Sequence, residues 1–255
     1  MTCPYTISGI KDGQYTVAID LLNWMCPDRI RELETNLQYI RNEDPYFKEI
    51  CPPIKNYLLE YTSETLLPMD FDLRKKKVLL ILGNPATHSV KKKMICYSKV
   101  NDERHPIWKK LKDANLIEVK ESGKKDKIDQ IEEEAQERKK LIISGNTCND
   151  HVIGFTTFYS FPTPTKPSNK KDQQKWPAKN YFGNAAGVER LFRGALDKLQ
   201  KMELGRLYSY SFAINGIWIF TQTSSYRYVK NFNRIDYWPI RGSDGEDLRQ
   251  ILSAP

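Results

Sequence analysis

The sequence predicts an α/β fold, a three-layer sandwich around a central, mostly parallel sheet. Two short runs, "KKKVLLIL" and "HVIGFTTFYSF", are rich in leucine, β-branched and aromatic residues without polar alternation. That is the pattern of strands buried on both faces. "HPIWKKLKDANLI" and "GVERLFRGALDKLQKM" carry apolar residues at helical spacing instead. Strand-like and helical segments alternate along the chain, the order that feeds a parallel sheet through crossover helices.

In chain order, residues 1–72 read as a helical N-terminal extension packed on the core, and residues 73–255 as the α/β domain. In the extension, "DRIRELETNLQYIRN" repeats Ile30, Leu33, Leu37 and Ile40 on one helical face, and "IKNYLLEYTSETLL" reads as a second helix. "KKKVLLIL" is the first strand of the sheet, bounded by lysines and by Gly-Asn-Pro. "HPIWKKLKDANLI" follows as an amphipathic helix with Ile107, Trp108, Leu111 and Ala114 inward. "ESGKKDKIDQIEEEAQERKK" is almost wholly charged and predicts a solvated helix or a mobile insertion. Glutamates alternate with its lysines, which suits nucleic acid poorly. "LIISG" is a short apolar piece, and "HVIGFTTFYSF" a second central strand. "PTPTKPSNKKDQQKWPAKN" must be a long loop, and loops of that length inside a compact domain are often functional. "GVERLFRGALDKLQKM" predicts one amphipathic helix, and "RLYSYSFAINGIWIFTQ" two strand-like runs around Asn215-Gly216, a hairpin dipeptide. "TSSYRYVKNF" closes the second run with hydroxyls and cations. No internal repeat is visible.

A chain of 255 residues supports one domain with an appendage and a sizeable core. No apolar run approaches the roughly 20 residues of a membrane span, and "MTCPYTISGIKDG" lacks the pattern of a signal peptide. A cytoplasmic location is the expectation, nucleoid-associated, or nuclear in a eukaryotic cell. Forty basic against 32 acidic residues give a net charge of +8. That balance favours polyanionic partners, nucleic acid first, although a lysine-rich solvated surface has the same sum. Cys3, Cys26, Cys51, Cys96 and Cys148 are odd in number and show no C-x-x-C spacing. Neither a disulfide framework nor an iron–sulfur cluster is expected, and buried free thiols are the default.

In open α/β sheets ligands bind beyond the carboxyl ends of the strands. Three segments are expected to meet there: residues 83–89, 156–164 and 221–227. In that order they resemble the uracil-DNA glycosylase superfamily, closest to its mismatch-specific uracil/thymine branch. That branch opens its site with a strand and G-x-N-P-G. "LGNPA" keeps Asn84 and Pro85, has Leu82 and Ala86 at the flanking glycines, and places Gly83 at the free position. "ICYSKVNDERHPIW" is similar to the family's aromatic segment and Arg-Phe-Trp helix start, with Tyr97 and Trp108 near the aromatic positions. "GFTTFYSFPTP" follows the pattern G-[FY]-T-N with a later Thr-Pro, Thr157 replacing the asparagine. The family's final Asn-Pro-Ser or His-Pro-Ser has only "TQTSSYRY" as a counterpart, and its helix between the last two strands is not expected beside Asn215-Gly216. The resemblance covers about residues 76–230 and leaves residues 1–70 without a counterpart.

The resemblance implies a monofunctional DNA glycosylase that flips a base, uracil or similar, and hydrolyses its N-glycosidic bond without metal or cofactor. The partner is DNA, duplex or single-stranded, and no protein partner is indicated. Asn84 would hold the water by its amide; read alone, Asn-Pro merely starts a turn. An asparagine is no general base, so such a site works by positioning and is slow. His88 would donate to a developing anion or to phosphate, and a capping histidine reads equally well. His105 reads as a helix-start residue and His151 as structural. The base would meet Gly83, Pro85, Tyr97, Phe155, Thr157 and Phe158, with one of the two phenylalanines in the core. The hydroxyl of Thr157 cannot copy a bidentate amide, so another readout or another base is open. Thr87, Ser89, Thr223, Ser224, Ser225 and Arg227 would bind DNA phosphate, though ordinary caps explain each alone. Tyr226 or Tyr228 would wedge the duplex, and Lys91 to Lys93, Lys166, Lys170, Lys171 and Lys175 would touch the backbone. Two alternatives stay open: a catalytically impaired nucleic-acid-binding protein of the same fold, or an unrelated α/β nucleotide-processing enzyme. The absence of G-x-x-x-x-G-K-[ST] and G-x-G-x-x-G speaks against the latter.

Overall fold

A computed structural model describes residues 4–97, 105–118, 127–147, 150–164, 185–222, 234–240 and 242–254. In chain order the elements are β1 (Tyr5–Ile7), β2 (Gln14–Asp20), α1 (Pro27–Glu43), α2 (Pro45–Ile50), β3 (Leu58–Glu64), β4 (Lys76–Leu82), α3 (Thr87–Lys91), α4 (Pro106–Asp113), α5 (Lys127–Ile143), β5 (His151–Thr157), α6 (Ala185–Leu191), α7 (Leu196–Ser209), β6 (Ile217–Phe220), β7 (Ile235–Tyr237) and α8 (Gly245–Ser253). The fold is α/β, with a four-stranded parallel sheet flanked by helices. Contacts divide the chain into two units, one made of Met1–Thr65, Asn84–Lys93 and Thr157–Leu207, the other of Leu66–Gly83, Met94–Thr156 and Tyr208–Pro255.

The first unit holds an antiparallel sheet of order β1-β2-β3. Asp12 and Gly13, at φ 52° and 76°, turn the chain into β2, closed by reciprocal Lys11 and Gln14 backbone bonds of 2.8 and 3.0 Å. Asp-Gly is the dipeptide such a left-handed two-residue turn prefers. One side of the sheet is buried through Tyr15, Val17 and Ile19 on β2 and Leu59, Tyr61 and Ser63 on β3. α1 buries Ile30, Leu33, Leu37 and Ile40, as its spacing predicts, and α2 buries Phe47 and Ile50. The expected helical extension is therefore corrected: its second "helix" is β3. The segment's apolar residues fit a period of two as well as one near four, and pairing with β2 from Gln14↔Glu64 to Asp20↔Leu58 decides for the strand. The boundary at residue 72 is crossed as well, because the unit takes in two later segments. The single helix expected from "GVERLFRGALDKLQKM" is two, α6 and α7, separated by Phe192 to Ala195.

The sheet of the second unit has the order β5-β4-β6-β7, and β4 pairs β6 in parallel from Val78↔Ile217 to Ile81↔Phe220. From β4 the chain passes to β5 on one side and then to β6 on the other. Strand order thus reverses at β4/β6, the switch point beyond whose carboxyl ends ligands bind in open α/β sheets. β5, expected to be central, lies at the end of this order, and Leu66 forms an antiparallel bridge to its Phe155. The expected hairpin at Asn215-Gly216 is also corrected. "RLYS" ends α7, and Asn215, at φ 58°, turns the chain from a short 3-10 stretch (Ser211–Ala213) into β6. Asparagine tolerates the left-handed region at any turn, so the dipeptide does not by itself specify a hairpin. The charged segment before "LIISG" is not merely solvated. Within α5, Ile131, Ala135 and Ile142 are buried, and so is a Glu134–Arg138 ion pair of 2.9 Å whose guanidinium lies 5.1 Å above the Trp108 ring. "LIISG" itself runs out of α5 into Gly145 at φ 64°. α4 buries Ile107, Trp108 and Leu111 as predicted. β7 and α8 had no expectation, and the long loop after Pro164 and "TSSYRYVKNF" lie outside the described residues. Among those described, no helix is long and apolar enough to cross a membrane.

Candidate functional site

β4 ends in five buried residues, Val78 to Leu82, and Gly83 follows. A Cβ on Gly83 would fall 2.2 Å from Oε1 of Gln222. The missing side chain thus lets Gln222, two residues past β6, lie against the end of β4. The first and third predicted segments meet here, at the carboxyl ends of adjacent parallel strands.

From Asn84 onward the chain belongs to the first unit, and there the first and second segments meet. Ala86 forms a parallel bridge to Thr163, Thr163 N–H donates to Pro85 O at 3.0 Å, and Thr87 N–H donates to Thr163 O at 3.2 Å. The amide of Asn84 donates through Nδ2 to Thr163 Oγ1 at 2.7 Å. Asn84 is half-buried and Pro85 buried. The turn of the Asn-Pro motif is thus clamped to the Thr-Pro of the second motif, and the Asn84 side chain is oriented by that clamp.

α3 starts directly after this turn. His88 is half-exposed on it, whereas Thr87 and Ser89 are buried. Thr87 Oγ1 donates to Asp44 Oδ2 at 2.7 Å, and Asp44 caps α2 through bonds from the N–H groups of Tyr46 and Phe47. The expectation that Thr87 and Ser89 contact phosphate is therefore corrected: neither hydroxyl faces solvent, and Thr87 ties α3 to α2. Lys91 pairs with Glu49, and Lys93 with Asp12 at 3.5 Å.

Thr157 ends β5 and is 0 % exposed, with Oγ1 lacking a hydrogen-bond partner. Phe155 and Phe158 are equally buried. Phe155 packs on Trp108 at 5.4 Å and Phe158 on Tyr159 at 4.9 Å, so both are core residues and neither walls an open pocket. Tyr97 is buried in the core of the second unit, its hydroxyl donating to Glu132 at 3.4 Å. Its expected stacking on a base is corrected for the same reason. Thr223, Ser224, Ser225, Tyr226, Arg227 and Tyr228 lie outside the described residues, as do Lys166, Lys170, Lys171, Lys175, Cys3 and Cys148.

Sequence reasoning missed a buried polar hub behind the second segment. Glu203 Oε1 accepts from Ser160 N–H at 2.6 Å and from Ser160 Oγ at 2.5 Å, and the Ser160 hydroxyl also bonds Tyr61 OH at 2.8 Å. Arg206 donates through Nε to Glu203 Oε2 at 2.7 Å and through Nη2 to the carbonyls of Thr157 and Phe158. Both charged side chains are 0 % exposed, which burial permits only because each is paired and bonded. The guanidinium lies 5.8 Å from the Tyr15 ring centroid. The hub holds the chain leaving β5 in a bend toward Thr163. The signal was present: Glu203 and Arg206 fall on the stripe of Leu199, Met202 and Leu207 that α7 buries.

The remaining candidates are structural. His105 caps α4, accepting from Ile107 N–H at 3.3 Å. Burial, then the nearby Lys76, lowers the pKa of His151. Burial pushes the Cys51 thiol up to about 12, against the pull of Arg41. Among the described residues no group of three or more His, Cys, Asp or Glu side chains could hold a metal. Comparison with protein-family models, curated protein sequences and solved structures finds no significant match.

Proposed function

We propose that this chain is a DNA-repair glycosylase of the uracil-DNA glycosylase kind, which extrudes a damaged or mismatched base and hydrolyses its N-glycosidic bond. The supporting observation is the clamp at the end of β4: Asn84, at the strand-order reversal, is bonded to Thr163 of the second motif. With Nδ2 committed to Thr163, the amide plane is set and its carbonyl oxygen is the atom that orients a water. Asparagine cannot take the proton, so the site acts by positioning and by stabilising charge on the departing base. His88, half-exposed on α3, donates to that anion or to an adjacent phosphate. The net charge of +8 supports a polyanionic substrate. Such a hydrolysis requires neither metal nor diffusible cofactor.

The test uses labelled duplexes containing uracil, a thymine mismatch or hypoxanthine, followed by alkali. Strand breakage that disappears in Asn84→Ala is the expected result. Breakage unchanged in Asn84→Ala would remove the mechanism. A second reading, a nucleic-acid-binding protein of this kind without catalysis, is favoured by the burial of Thr157 at the position of the base-reading amide. Salt-sensitive binding without breakage would establish it.

A further inference from the structure

The last residue of β3 has properties that its strand does not explain. On its side of β3, Leu58 and Glu60 are exposed and Thr62 half-exposed, yet Glu64 is 1 % exposed and its Oε2 has no hydrogen-bond partner. Two sets of contacts locate it. On one edge Glu64 pairs with Gln14 of β2, whose amide donates to the carbonyl of Val90 at the end of α3. Residues paired across a strand share a side of the sheet, so α3 covers the sheet where Glu64 stands. On the other edge β3 meets the chain around the end of β5. Leu66 and Phe155 exchange backbone bonds of 2.8 and 2.7 Å, and Tyr61 bonds Ser160 at 2.8 Å. Both contacts obey one antiparallel register, and that register sets Glu64 opposite Thr157. Thr157 Oγ1 is also buried without a partner. Two buried polar atoms thus stand at facing positions, bonded neither to each other nor to any other group. Buried polar groups are as a rule hydrogen-bonded, and an exception marks a place where something else is bound.

We propose that Glu64, with Thr157 beside it, reads the edge of a captured nucleobase that presents adjacent N–H and C=O groups, as uracil and hypoxanthine do. This rests on the reading of the chain as a base-excising enzyme. Burial pushes the Glu64 carboxyl well above the usual carboxylate range, so the neutral acid is the form held. A neutral carboxyl offers one O–H donor and one carbonyl acceptor side by side, the pair of an amide and the pair a threonine hydroxyl lacks. Its O–H donates to the base carbonyl, and its carbonyl accepts from the ring N–H. A base of this type also leaves as a delocalised anion, which suits a site whose Asn84 supplies no proton. Both groups are closed to solvent in this structure, so admission of a base requires the cover over them to open.

Free uracil, hypoxanthine, adenine and cytosine are titrated into the full-length protein and its Glu64→Gln, Glu64→Leu and Glu64→Asp variants, with binding followed by NMR or calorimetry and folding by thermal melting. Uracil and hypoxanthine are expected to bind wild type and Glu64→Gln within about threefold. They should bind Glu64→Leu and Glu64→Asp about tenfold or more weakly, the loss of one hydrogen-bonding group. Three results would overturn the assignment: no uracil binding by folded wild type, undiminished binding by folded Glu64→Leu or Glu64→Asp, or preference for adenine or cytosine. A buried water satisfying Glu64 predicts the first or second of these. Uracil binding that depends on Glu64, together with no breakage of uracil-containing duplexes, would sink the hydrolase reading and leave the base-reading role standing.

Discussion

At the scale of single residues, the Glu203–Arg206 pair is the group whose loss should cost most. Both side chains are 0 % exposed, and Arg206 also carries the carbonyls of Thr157 and Phe158. Arg206→Met leaves a buried carboxylate alone and should destabilise the fold by about 3–5 kcal/mol in urea unfolding. The double replacement Glu203→Met with Arg206→Met should cost less than Arg206→Met alone, because no charge remains uncompensated. Glu64 makes the opposite kind of prediction, through pH. Its folded pKa is raised by burial above the unfolded value of about 4.3. Above that pH the unfolded chain has lost a proton that the folded chain still holds. The stability associated with Glu64 is therefore fully present below about pH 4.3 and drains away as pH rises toward the folded pKa. Glu64→Gln cannot ionise and lacks this loss. The unfolding free energy of wild type minus that of Glu64→Gln should fall between pH 4 and 7, and a flat or rising difference would mean the carboxyl is charged and partnered. Cys51 and Cys26 give a simpler check. Cys51 is buried, with its thiol pushed up to about 12, whereas Cys26 is exposed. Iodoacetamide at pH 8 should label Cys26 in the folded protein and reach Cys51 only after unfolding.

At the scale of elements, close approach is decided by glycine at one helix pair. A Cβ on Gly245 would fall 2.6 Å from Lys110 O and 2.7 Å from Ala114 N, so the start of α8 rests on the backbone of α4. Gly245→Ala must push two backbones apart and should cost about 1–3 kcal/mol, read from the shift in the denaturation midpoint. Legibility in the sequence also varies by element. β4, β5 and α4 were legible because each carries an unbroken apolar run or a clean apolar stripe. β3 was not, because Leu59, Tyr61 and Ser63 alternate while Leu58 and Tyr57 imitate a helical face, and only pairing with β2 separates the two readings. α5 hid its buried stripe because Glu134 and Arg138 occupy it as an ion pair, so charge was taken for exposure. At the candidate site, Asn84 and the Thr163 segment were legible as motifs. Glu64 was not, because its importance comes from an antiparallel register joining residues 93 positions apart, in which 157 − 64 = 93.

At the scale of the whole molecule, a cut of the sequence at residue 72 could not reproduce the units, because each gathers three separated stretches of chain. Composition can speak at this scale where local patterns cannot. The net charge of +8 predicts attraction to polyanions, but not every lysine contributes equally. Lys91 and Lys93 are held in exposed ion pairs with Glu49 and Asp12. Pairs of that kind are weak, about 0–1 kcal/mol, and a phosphate can displace them at small cost. Charge-driven DNA binding releases one set of condensed counterions per phosphate neutralised, so its affinity must fall steeply with salt. With about four phosphates engaged, affinity for an undamaged duplex should drop roughly a hundredfold between 50 and 200 mM salt. Lys91→Glu together with Lys93→Glu should lower the slope of log affinity against log salt if these lysines face the backbone, and leave it unchanged if they only brace α3. Fluorescence anisotropy over a salt series measures both quantities. An affinity insensitive to salt would show that the positive charge serves solubility, and the DNA reading would then rest on Asn84 and Glu64 alone.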